Sequence, residues 1–348
     1  MVRIGVIGCG YWGPNLIRNF SHLKGSQVLI CSDLGEDRLS HMRNVYPQIE
    51  TTTDYKRVLA RKDVDAVVVA TPPETHVRLT IEALRAGKHV FVEKPLALSS
   101  ADGSAMVDEA QKAKRVLMVG HTFVYTAAVN KIKEVIESGE LGDIFYISTT
   151  RVNLGIFQEN INVVWDLAPH DVSILNYILD AAPESVATQA SSNIRKNVED
   201  VAFLTLRYPG NVLAHVHVSW LNPNKIRSTT VVGSKKMLVY DDVSALEKIR
   251  IYDNGVTVTP HYDTFGEFQL SYRYGDILIP RLDDSEPLKV ACQHFVDCVE
   301  KGLAPRSSGV HGLNVVRVLE AAVESMREDG RMISVEPIVS GLTGTDEG

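Results

Sequence analysis

The sequence is poor in the features that mark several classes of protein. It has four cysteines, Cys9, Cys31, Cys292 and Cys298, and their spacing fits neither a metal site nor a disulfide framework. We therefore expect buried thiols in a reducing cytoplasm, and no metal. No apolar run approaches the roughly 18 residues of a membrane span. The apolar start, residues 4–7, is too short for a leader peptide, so a cytoplasmic protein is predicted.

An excess of positive charge is also missing. The chain has 36 lysines and arginines against 43 aspartates and glutamates, which gives a net charge of −7. This balance argues against a broad basic surface, and we predict neither a nucleic-acid nor a membrane partner. A local pocket can be positive on an acidic protein, so small anionic molecules stay among the candidate ligands.

The first third of the chain alternates short apolar runs with helical patterns. Such continuous, β-branched runs are typical of strands that are buried on both faces of a parallel sheet. The predicted strands are residues 2–7, 27–31, 66–70, 89–92 and 116–119, with a weaker one at 49–52. Between two of them, Val77, Ile81 and Leu84 share a helical face that ends before Gly87. This βαβ series predicts an α/β fold with a doubly wound, Rossmann-type parallel sheet.

The rhythm changes after about residue 122. A helical pattern over 127–142 is followed by strands whose apolar and polar residues alternate, which indicates a large, mainly antiparallel open sheet. The strands are predicted at 144–153, 184–192, 201–208, 212–221, 227–233, 237–240 and 247–252, and helices at 288–301 and 311–328. We therefore predict two domains, 1–122 and 123–348. The sheet face that carries His215 and His217 needs cover, which predicts a homodimer or homotetramer.

The first predicted strand runs into a glycine-rich turn, Gly8-x-Gly10-x-x-Gly13. The first glycine allows a tight turn, the second lets the backbone approach a pyrophosphate, and the third lets a helix pack on the strand. The following helix N-terminus offers unpaired N–H groups to phosphates. Tyr11 and Trp12 lie within this turn and are assigned to the same cofactor site.

An acid at the end of the second strand completes the pattern. Asp33 lies about 20 residues beyond the last glycine, the spacing at which a carboxylate accepts hydrogen bonds from the adenosine ribose. A carboxylate there repels a 2′-phosphate, so NAD is favoured over NADP. Arg38 is the nearest arginine after this acid.

Polar residues also follow two other strands, at the sheet edge where α/β proteins bind ligands. The residues assigned to the cofactor there are Thr71, Pro72, Pro73, His76, Glu93 and Lys94. Lys94 should point at whatever the cleft holds. The proline after it favours a fixed turn and allows a cis peptide at Pro95.

The stretches GVIGCGYWG, ATPPETHVRLTIEALRAGKHVFVEKPLAL and DLAPHD, together with Asp33, resemble the Gfo/Idh/MocA oxidoreductase family. The resemblance covers nearly the whole chain, and GKHVFVEKP is its most specific part. It implies a Rossmann domain, a second α/β domain with an open sheet, and an active site between them. The implied reaction is the reversible NAD(P)-dependent oxidation of a secondary hydroxyl on a sugar, a cyclitol or a nucleotide sugar.

The resemblance also implies catalytic roles for Lys94, Asp166 and His170. Pro169 fits the first turn of a helix, so His170 is predicted in that turn, where the helix N-terminus would keep it neutral. His170 would then remove the hydroxyl proton while Lys94 stabilises the alkoxide and Asp166 orients the base or the substrate. The alternative is that Asp166 or Asp171 only caps the helix and His170 is a packed core residue.

The substrate is the least determined part. Tyr125, Arg151, Asn153 and Asn162, with Asp166 and His170, are the predicted substrate ligands, since amides and guanidinium suit sugar hydroxyls and a diphosphate. Resemblance to one branch of the family favours a nucleotide sugar, in a UDP-N-acetylhexosamine 3-dehydrogenase reaction of polysaccharide or amino-sugar biosynthesis. An inositol or free-sugar dehydrogenase and a non-catalytic NAD-sensing regulator are the alternatives. The aromatic stretch 261–277 is read equally as a stacking surface and as an interface.

Overall fold

The structure is a computed structural model that describes residues 1–155, 157, 161–256 and 272–336. The chain divides into two compact units. The first contains residues 1–126 and 285–317, and the second contains the described residues of 127–284 and 318–336. The sequence analysis assigned everything after residue 122 to one domain. The structure instead returns residues 285–317 to the first unit.

Helices flank the sheets of both units. The described residues form α1 (Gly13–His22), α2 (Glu36–Val45), α3 (Tyr55–Ala60), α4 (His76–Arg85), α5 (Ser100–Ala113), α6 (Ala127–Glu137), α7 (Val163–Leu179), α8 (Pro287–Lys301) and α9 (Gly309–Arg327).

The first unit is built on a six-stranded parallel sheet. Its strands are β1 (Val2–Ile7), β2 (Ser26–Ser32), β3 (Glu50–Thr52), β4 (Ala66–Val69), β5 (His89–Val92) and β6 (Leu117–Val119). They lie in the order β3-β2-β1-β4-β5-β6, so the sheet is wound in both directions from β1. Every residue of β4 is buried, as the continuous apolar pattern predicted. The predicted doubly wound sheet is confirmed, including the weak strand near residue 50.

An aromatic cluster explains why α8 belongs to the first unit. Phe295 of α8 lies 6.1 Å from Phe20 of α1 and 5.7 Å from Phe91 of β5, measured between ring centroids. All three rings are fully buried and meet edge to face. A contact of this kind joins residues far apart in the chain, and no local sequence pattern reports it.

The second unit is built on a nine-stranded sheet. Its strands are β7 (Ile144–Val152), β8 (Ser185–Ser191), β9 (Val201–Tyr208), β10 (Val212–Ser219), β11 (Ile226–Gly233), β12 (Met237–Asp241), β13 (Ile249–Val256), β14 (Tyr272–Leu278) and β15 (Ile333–Ser334). Their order is β14-β13-β12-β11-β7-β10-β9-β8-β15. Only the β7–β10 pair is parallel among the pairings described, so the predicted mainly antiparallel sheet is confirmed.

One face of this sheet carries the core and the other does not. Ala214, Val216 and Val218 of β10 are buried on the face against which α7 packs. Leu213 and Phe203, on the opposite face, are 40% and 44% exposed. The alternation predicted for residues 212–221 is therefore confirmed over 212–218, whereas the strand ends at Ser219, which is buried.

The helix that carries Asp166 and His170 begins earlier than predicted. It starts at Val163, and its N-cap is Asn162, whose side-chain oxygen accepts the N–H of Trp165 at 3.1 Å. Pro169 consequently lies inside the helix, so the prediction that it opens the helix is wrong. The cap supplies a favourable start, and the proline removes one hydrogen bond that the rest of the long helix tolerates.

None of the helices that the structure describes combines the length and the apolar character that a membrane crossing requires.

Candidate active site

The glycine turn after β1 has the geometry that a dinucleotide requires. Gly8 has a φ of +99°, and a Cβ there would lie 2.5 Å from the carbonyl oxygen of Ala70. A Cβ on Gly13 would collide with the carbonyl oxygen of Gly8. Gly10, in contrast, faces open space, with Arg38 Nη1 at 3.9 Å as the nearest atom found. The two outer glycines thus close the turn, and the middle one leaves room for a phosphate group.

Helix α1 presents its N-terminus beside this turn. No side chain caps it, its first turn carries no acid, and Pro14 lies at its start. Its first N–H groups and their partial positive charge therefore suit a pyrophosphate. Tyr11 and Trp12 are 82% and 41% exposed, so both rings are accessible beside the turn. The residues present fit the cofactor that the turn predicts.

Asp33 is fixed at the end of β2 by three contacts. Its Oδ2 accepts the N–H of Cys9 at 2.7 Å, and its Oδ1 accepts the N–H of Gly35 at 2.8 Å. Arg38 Nη1 lies 3.5 Å from Oδ1. The carboxylate therefore stands across the glycine turn, where it can accept a ribose hydroxyl through its remaining lone pairs.

His76 braces two turns at the carboxyl edge of the sheet. Its Nδ1 lies 2.9 Å from the carbonyl oxygen of Pro95, and its Nε2 lies 2.9 Å from that of Thr71. The ring is fully buried, and burial lowers its pKa. Both ring nitrogens face carbonyl oxygens of the protein, and the neutral ring donates its single N–H to one of them. The assignment of this buried side chain to direct cofactor contact is therefore corrected. The turn itself remains accessible, since Thr71 and Pro73 are half-buried and Pro72 is exposed.

The Glu93-Lys94-Pro95 segment follows β5 at the same edge. The Lys94–Pro95 peptide bond is cis, as the sequence allowed. The Glu93 carboxyl is buried and accepts the N–H of Lys94 at 3.3 Å. A Cβ on Gly120 would lie 3.1 Å from both carboxyl oxygens, so the carboxyl packs closely against this glycine. Burial raises the pKa of Glu93 to about 7, although the neighbouring Lys94 opposes that shift.

A second buried group near Lys94 was missed as a site residue. His121 directly follows the β6 edge and is 1% exposed, and neither of its ring nitrogens has a hydrogen-bond partner among the described residues. Its ring lies 5.6 Å from that of His311 in α9. Burial, His311 and Lys94 all lower its pKa. His121 belongs to the stretch GHTFVY, which follows β6 at the ligand-binding edge of the sheet, whereas no sequence pattern indicates His311.

In the second unit, Asp166 and His170 lie four residues apart on α7 and therefore on one helix face. Asp166 Oδ2 accepts the indole N–H of Trp220 at 2.9 Å, which fixes the carboxylate. His170 is half-buried and is the eighth residue of the helix. His170 therefore lies beyond the first turn, to which the helix field is confined, so the prediction that places His170 in that turn is wrong.

Asp171, the other candidate for a helix cap, belongs to a buried ion pair instead. It accepts Nε of Arg151 at 2.7 Å and Nη2 at 3.1 Å, and both side chains are almost completely buried. The pair ties β7 to α7. Arg151 was assigned to the substrate, and that assignment is corrected because its guanidinium is buried against a carboxylate inside the unit.

Three further predicted substrate residues have different surroundings. Tyr125 is 2% exposed, and its hydroxyl lies 3.0 Å from Ser307 Oγ within the first unit, so its assignment to substrate is corrected. Asn162 caps α7 with its oxygen and donates one amide N–H to Glu199 at 2.9 Å, and with its second amide N–H it stays a predicted ligand. Asn153 is half-buried just after β7 and stays a predicted ligand.

The aromatic stretch is only partly described. Residues 261–271 lie outside the described residues, and Arg273 in β14 pairs with Asp253 at 3.0 Å. The two histidines of β10 lie beside an aromatic ring: Phe203 stacks on His217 at 4.4 Å and on His215 at 6.1 Å. In the parts of the chain that the structure describes, no three potential ligand side chains converge as a metal site would require.

Comparisons with known proteins agree with this geometry. A family model described as an oxidoreductase family with an NAD-binding Rossmann fold matches residues 2–121. A model of the GFO/IDH/MocA C-terminal domain matches residues 129–239. A myo-inositol 2-dehydrogenase from Thermotoga maritima is 28% identical over 97% of this chain and 100% of its own length.

Solved structures share the fold. A probable dehydrogenase from Thermotoga maritima superposes with a TM-score of 0.81 at 25% identity, covering 97% of this chain and 100% of its own. The WlbA dehydrogenase from Bordetella pertussis, crystallised with NADH and UDP-GlcNAcA, gives a TM-score of 0.79 at 22% identity, covering 96% of this chain and 98% of its own.

Proposed function

Because the chain belongs to the Gfo/Idh/MocA oxidoreductase family and carries its NAD-binding Rossmann domain, we propose that it is an NAD-dependent dehydrogenase of sugars or polyols. It would interconvert a secondary hydroxyl group and a ketone. The observation that carries the proposal is the cofactor end of the first unit, where an open Gly10 and a fixed Asp33 accompany Lys94 at the same sheet edge. NAD, when bound, supplies the hydride acceptor.

We assign the chemistry of the reacting hydroxyl group to three side chains of this protein. His170 removes the proton of the reacting hydroxyl, and the Lys94 ammonium stabilises the negative charge that develops on the oxygen. Asp166 holds the substrate or the imidazole in position. The rigid anchoring of Asp166 by Trp220 supports a positioning role, because a fixed carboxylate keeps its neighbours in one geometry.

A neutral ring polyol is the first substrate class that we propose. A full-length relative is a myo-inositol 2-dehydrogenase, and the arginine that sequence analysis assigned to a diphosphate is buried with Asp171. A nucleotide sugar of the UDP-N-acetylhexosamine type is the second candidate. It is supported by the shared fold of the WlbA dehydrogenase and by the resemblance stated above.

A substrate panel tests the proposal. NADH absorbance is followed with NAD and myo-inositol, free hexoses or UDP-N-acetylglucosamine, and the Lys94→Ala variant serves as the matched control. We expect turnover with a polyol or a sugar, and its loss in the variant. Turnover restricted to UDP-sugars would move the second candidate to first place. Tight NADH binding without turnover on any of these substrates would contradict the proposal that the protein is a dehydrogenase. It would favour the alternative, a regulatory protein that senses NAD.

A further inference from the structure

Two histidine rings meet in the buried part of the first unit close to Lys94, and the proposed reaction gives them no role. His121 follows β6, is 1% exposed, and lies 5.6 Å from His311 between ring centroids. Both ring nitrogens of His121 and Nε2 of His311 are buried, and none of these atoms has a hydrogen-bond partner among the described residues. The large majority of buried polar atoms in proteins do have a partner, so these nitrogens indicate a bound molecule.

The backbone places His121 at the same sheet edge as Lys94. Val92 of β5 and Val119 of β6 are register partners, and the N–H of Gly120 donates to the carbonyl oxygen of Val92 at 2.7 Å. The segments that carry Lys94 and His121 therefore leave the sheet side by side. Burial is the main cause of the lowered pKa of His121, and the neighbouring imidazole and the charge of Lys94 lower it further.

Helix α9 brings His311 to this edge. The next residue, Gly312, packs so closely that a Cβ there would lie 2.6 Å from Val119 Cγ2 and 3.3 Å from Leu96 Cβ. Leu96 follows Lys94 by two residues. His311 is thus fixed beside both the end of β6 and the segment that begins with Lys94.

Both imidazoles are neutral near pH 7. Burial lowers the pKa of His311 to about 4 and that of His121 well below its usual value. A neutral imidazole has one N–H donor and one acceptor nitrogen. The rings can therefore lie near the Lys94 ammonium without repelling it, and each offers the acceptor that an ammonium needs.

Water is the molecule that this set of atoms can hold. A buried water makes about three hydrogen bonds and has both donors and acceptors. It can donate to the acceptor nitrogen of one ring, accept the N–H of the other, and accept an N–H of the ammonium. A metal ion does not fit, because no three potential metal ligands converge anywhere in the described part of the chain.

We propose that His121 and His311 hold a buried water against Lys94, and that this water fixes the ammonium where it meets the reacting oxygen. His121 is then a positioning residue, since it acts on the reaction through Lys94. The ammonium has three rotatable donors on a flexible stem, so the acceptors around it set its direction. The role in turnover rests on the proposed dehydrogenase activity, whereas the water site itself does not.

A high-resolution crystal structure of the wild-type protein tests the water site. We expect a water at about 2.7–3.2 Å from a ring nitrogen of His121 and from Lys94 Nζ, and we expect its loss in His121→Leu. Rings that only pack edge to face, with no water beside them, would overturn the inference. A water that contacts the rings but not Lys94 would overturn the positioning role.

Kinetics with NAD and the substrate found in the panel test the positioning role. His121→Leu should lower kcat about tenfold and change KM and the NADH dissociation constant by less than about threefold, because the ammonium is misdirected while binding is kept. His121→Gln keeps a donor and an acceptor, so its kcat should stay within about threefold of the wild type.

His294→Leu is the matched control. His294 is a half-buried histidine of the same unit, and its Nε2 accepts the backbone N–H of Arg306 at 3.2 Å. Its replacement removes an imidazole without touching the proposed water site, and kcat should stay near that of the wild type.

Two kinetic results would contradict the inference. One is a His121→Leu variant with the kcat of the wild type, and the other is an equal loss in His121→Leu and His121→Gln, which would assign the effect to the shape of the ring. If His121→Leu fails to fold, as judged by lost NADH binding, His311→Leu replaces it with the same expectations. A wild type that turns over no substrate of the panel contradicts the proposed function, and the crystal structure still decides the water site, so the two failures are distinguishable.

Discussion

At the scale of one residue, Glu93 is a buried carboxyl with an unusually high pKa. Its carboxyl is buried beside the backbone of Lys94. Its charge also contributes to the raised pKa of the Cys292 thiol in α8, although burial is the larger cause. His121 is a further titratable group near Lys94, and its ring lies 5.6 Å from that of His311. Burial raises the pKa of Glu93 from 4.5 to about 7 in the folded protein. A group of this kind makes stability depend on pH.

The sign of that dependence follows from proton binding. Below pH 4.5 the carboxyl is protonated in both states, and between pH 4.5 and about 7 the unfolded chain loses its proton first. The favourable contribution of Glu93 is therefore present at low pH and lost as the pH rises through 7. A shift of this size corresponds to about 3 kcal/mol in the free energy of unfolding.

We predict that Glu93→Gln removes this dependence. Urea unfolding of the wild type and the variant is compared at pH 4 and pH 8, and the difference should move in favour of the variant by about 3 kcal/mol at the higher pH. Glu134→Gln, at a side chain that is 67% exposed, is the control and should show no such trend. A Glu93→Gln difference that stays constant with pH would mean that the buried carboxyl does not titrate in this range.

His170 and Lys94 carry the catalytic prediction at the same scale. His170→Ala should lower kcat by about 10²–10⁴, because a positioned base contributes that much to rate. Lys94→Ala should be at least as damaging. NADH affinity of the His170 variant should stay near that of the wild type, since the residue lies on α7 and outside the Rossmann unit. Wild-type turnover from either variant would remove that residue from the mechanism.

Single residues also show how far the sequence could predict the site. Gly8, Gly10, Gly13 and Asp33 could be placed because their roles depend on local backbone geometry and on a fixed spacing. Tyr125 is different: its hydroxyl meets Ser307, which is 182 residues away in the sequence. Whether a polar side chain is buried in the core or is open to a ligand depends on such distant contacts. The polarity of Tyr125 alone therefore could not assign it to the substrate.

At the scale of elements, strands were more predictable than the helix that carries the proposed base. Alternation and continuous apolar runs repeat along a strand, so several residues indicate the same element. The start of α7 depends on a single N-cap residue, Asn162. Pro169 lies inside this helix, which is an exception to the usual place of proline in the first turn. A proline is commonest in the first turn of a helix, and that preference misplaced the start. In α7 the hydrogen bonds and packing of the other residues of this long helix outweigh the hydrogen bond lost at Pro169.

The contact between β7 and α7 gives the prediction for this scale. Arg151 and Asp171 form an ion pair that is almost completely buried, and removing Asp171 would take away the carboxylate against which the buried guanidinium packs. Asp171→Ala should therefore lower the free energy of unfolding by about 3–5 kcal/mol. Replacing both residues by apolar ones, as in Arg151→Met with Asp171→Leu, should cost less than the single change.

Urea unfolding of the single and double variants measures this coupling. The buried pair ties a strand to a helix, so its loss should appear as a lower midpoint with little change in slope. A single variant within about 1 kcal/mol of the wild type would show that the two side chains are hydrated or have other partners. A double variant that is less stable than Asp171→Ala would show that the pair contributes net stability beyond shape.

At the scale of the whole molecule, one face of the nine-stranded sheet exposes apolar side chains. Tyr146 of β7 is the register partner of Leu213 in β10, and Phe203 of β9 pairs with His217 further along the same face. The side chains of Tyr146, Phe203 and Leu213 are 40–46% exposed. The stacked rings of Phe203 and His217 belong to the same face. An apolar face of this kind is typical of an interface, and a second copy of the chain is the partner that we propose.

We predict that Leu213→Asp shifts the protein towards a monomer. An aspartate at the same position on two copies would bury a charge without a partner at a symmetric interface, and the dimer or tetramer should dissociate. Light scattering after size exclusion measures the mass against the 38.4 kDa of one chain. Leu246→Asp is the control, since Leu246 is 91% exposed in the turn between β12 and β13 and lies outside this face. If the wild type is already a monomer at micromolar concentration, or if both variants keep its mass, the face must have another role.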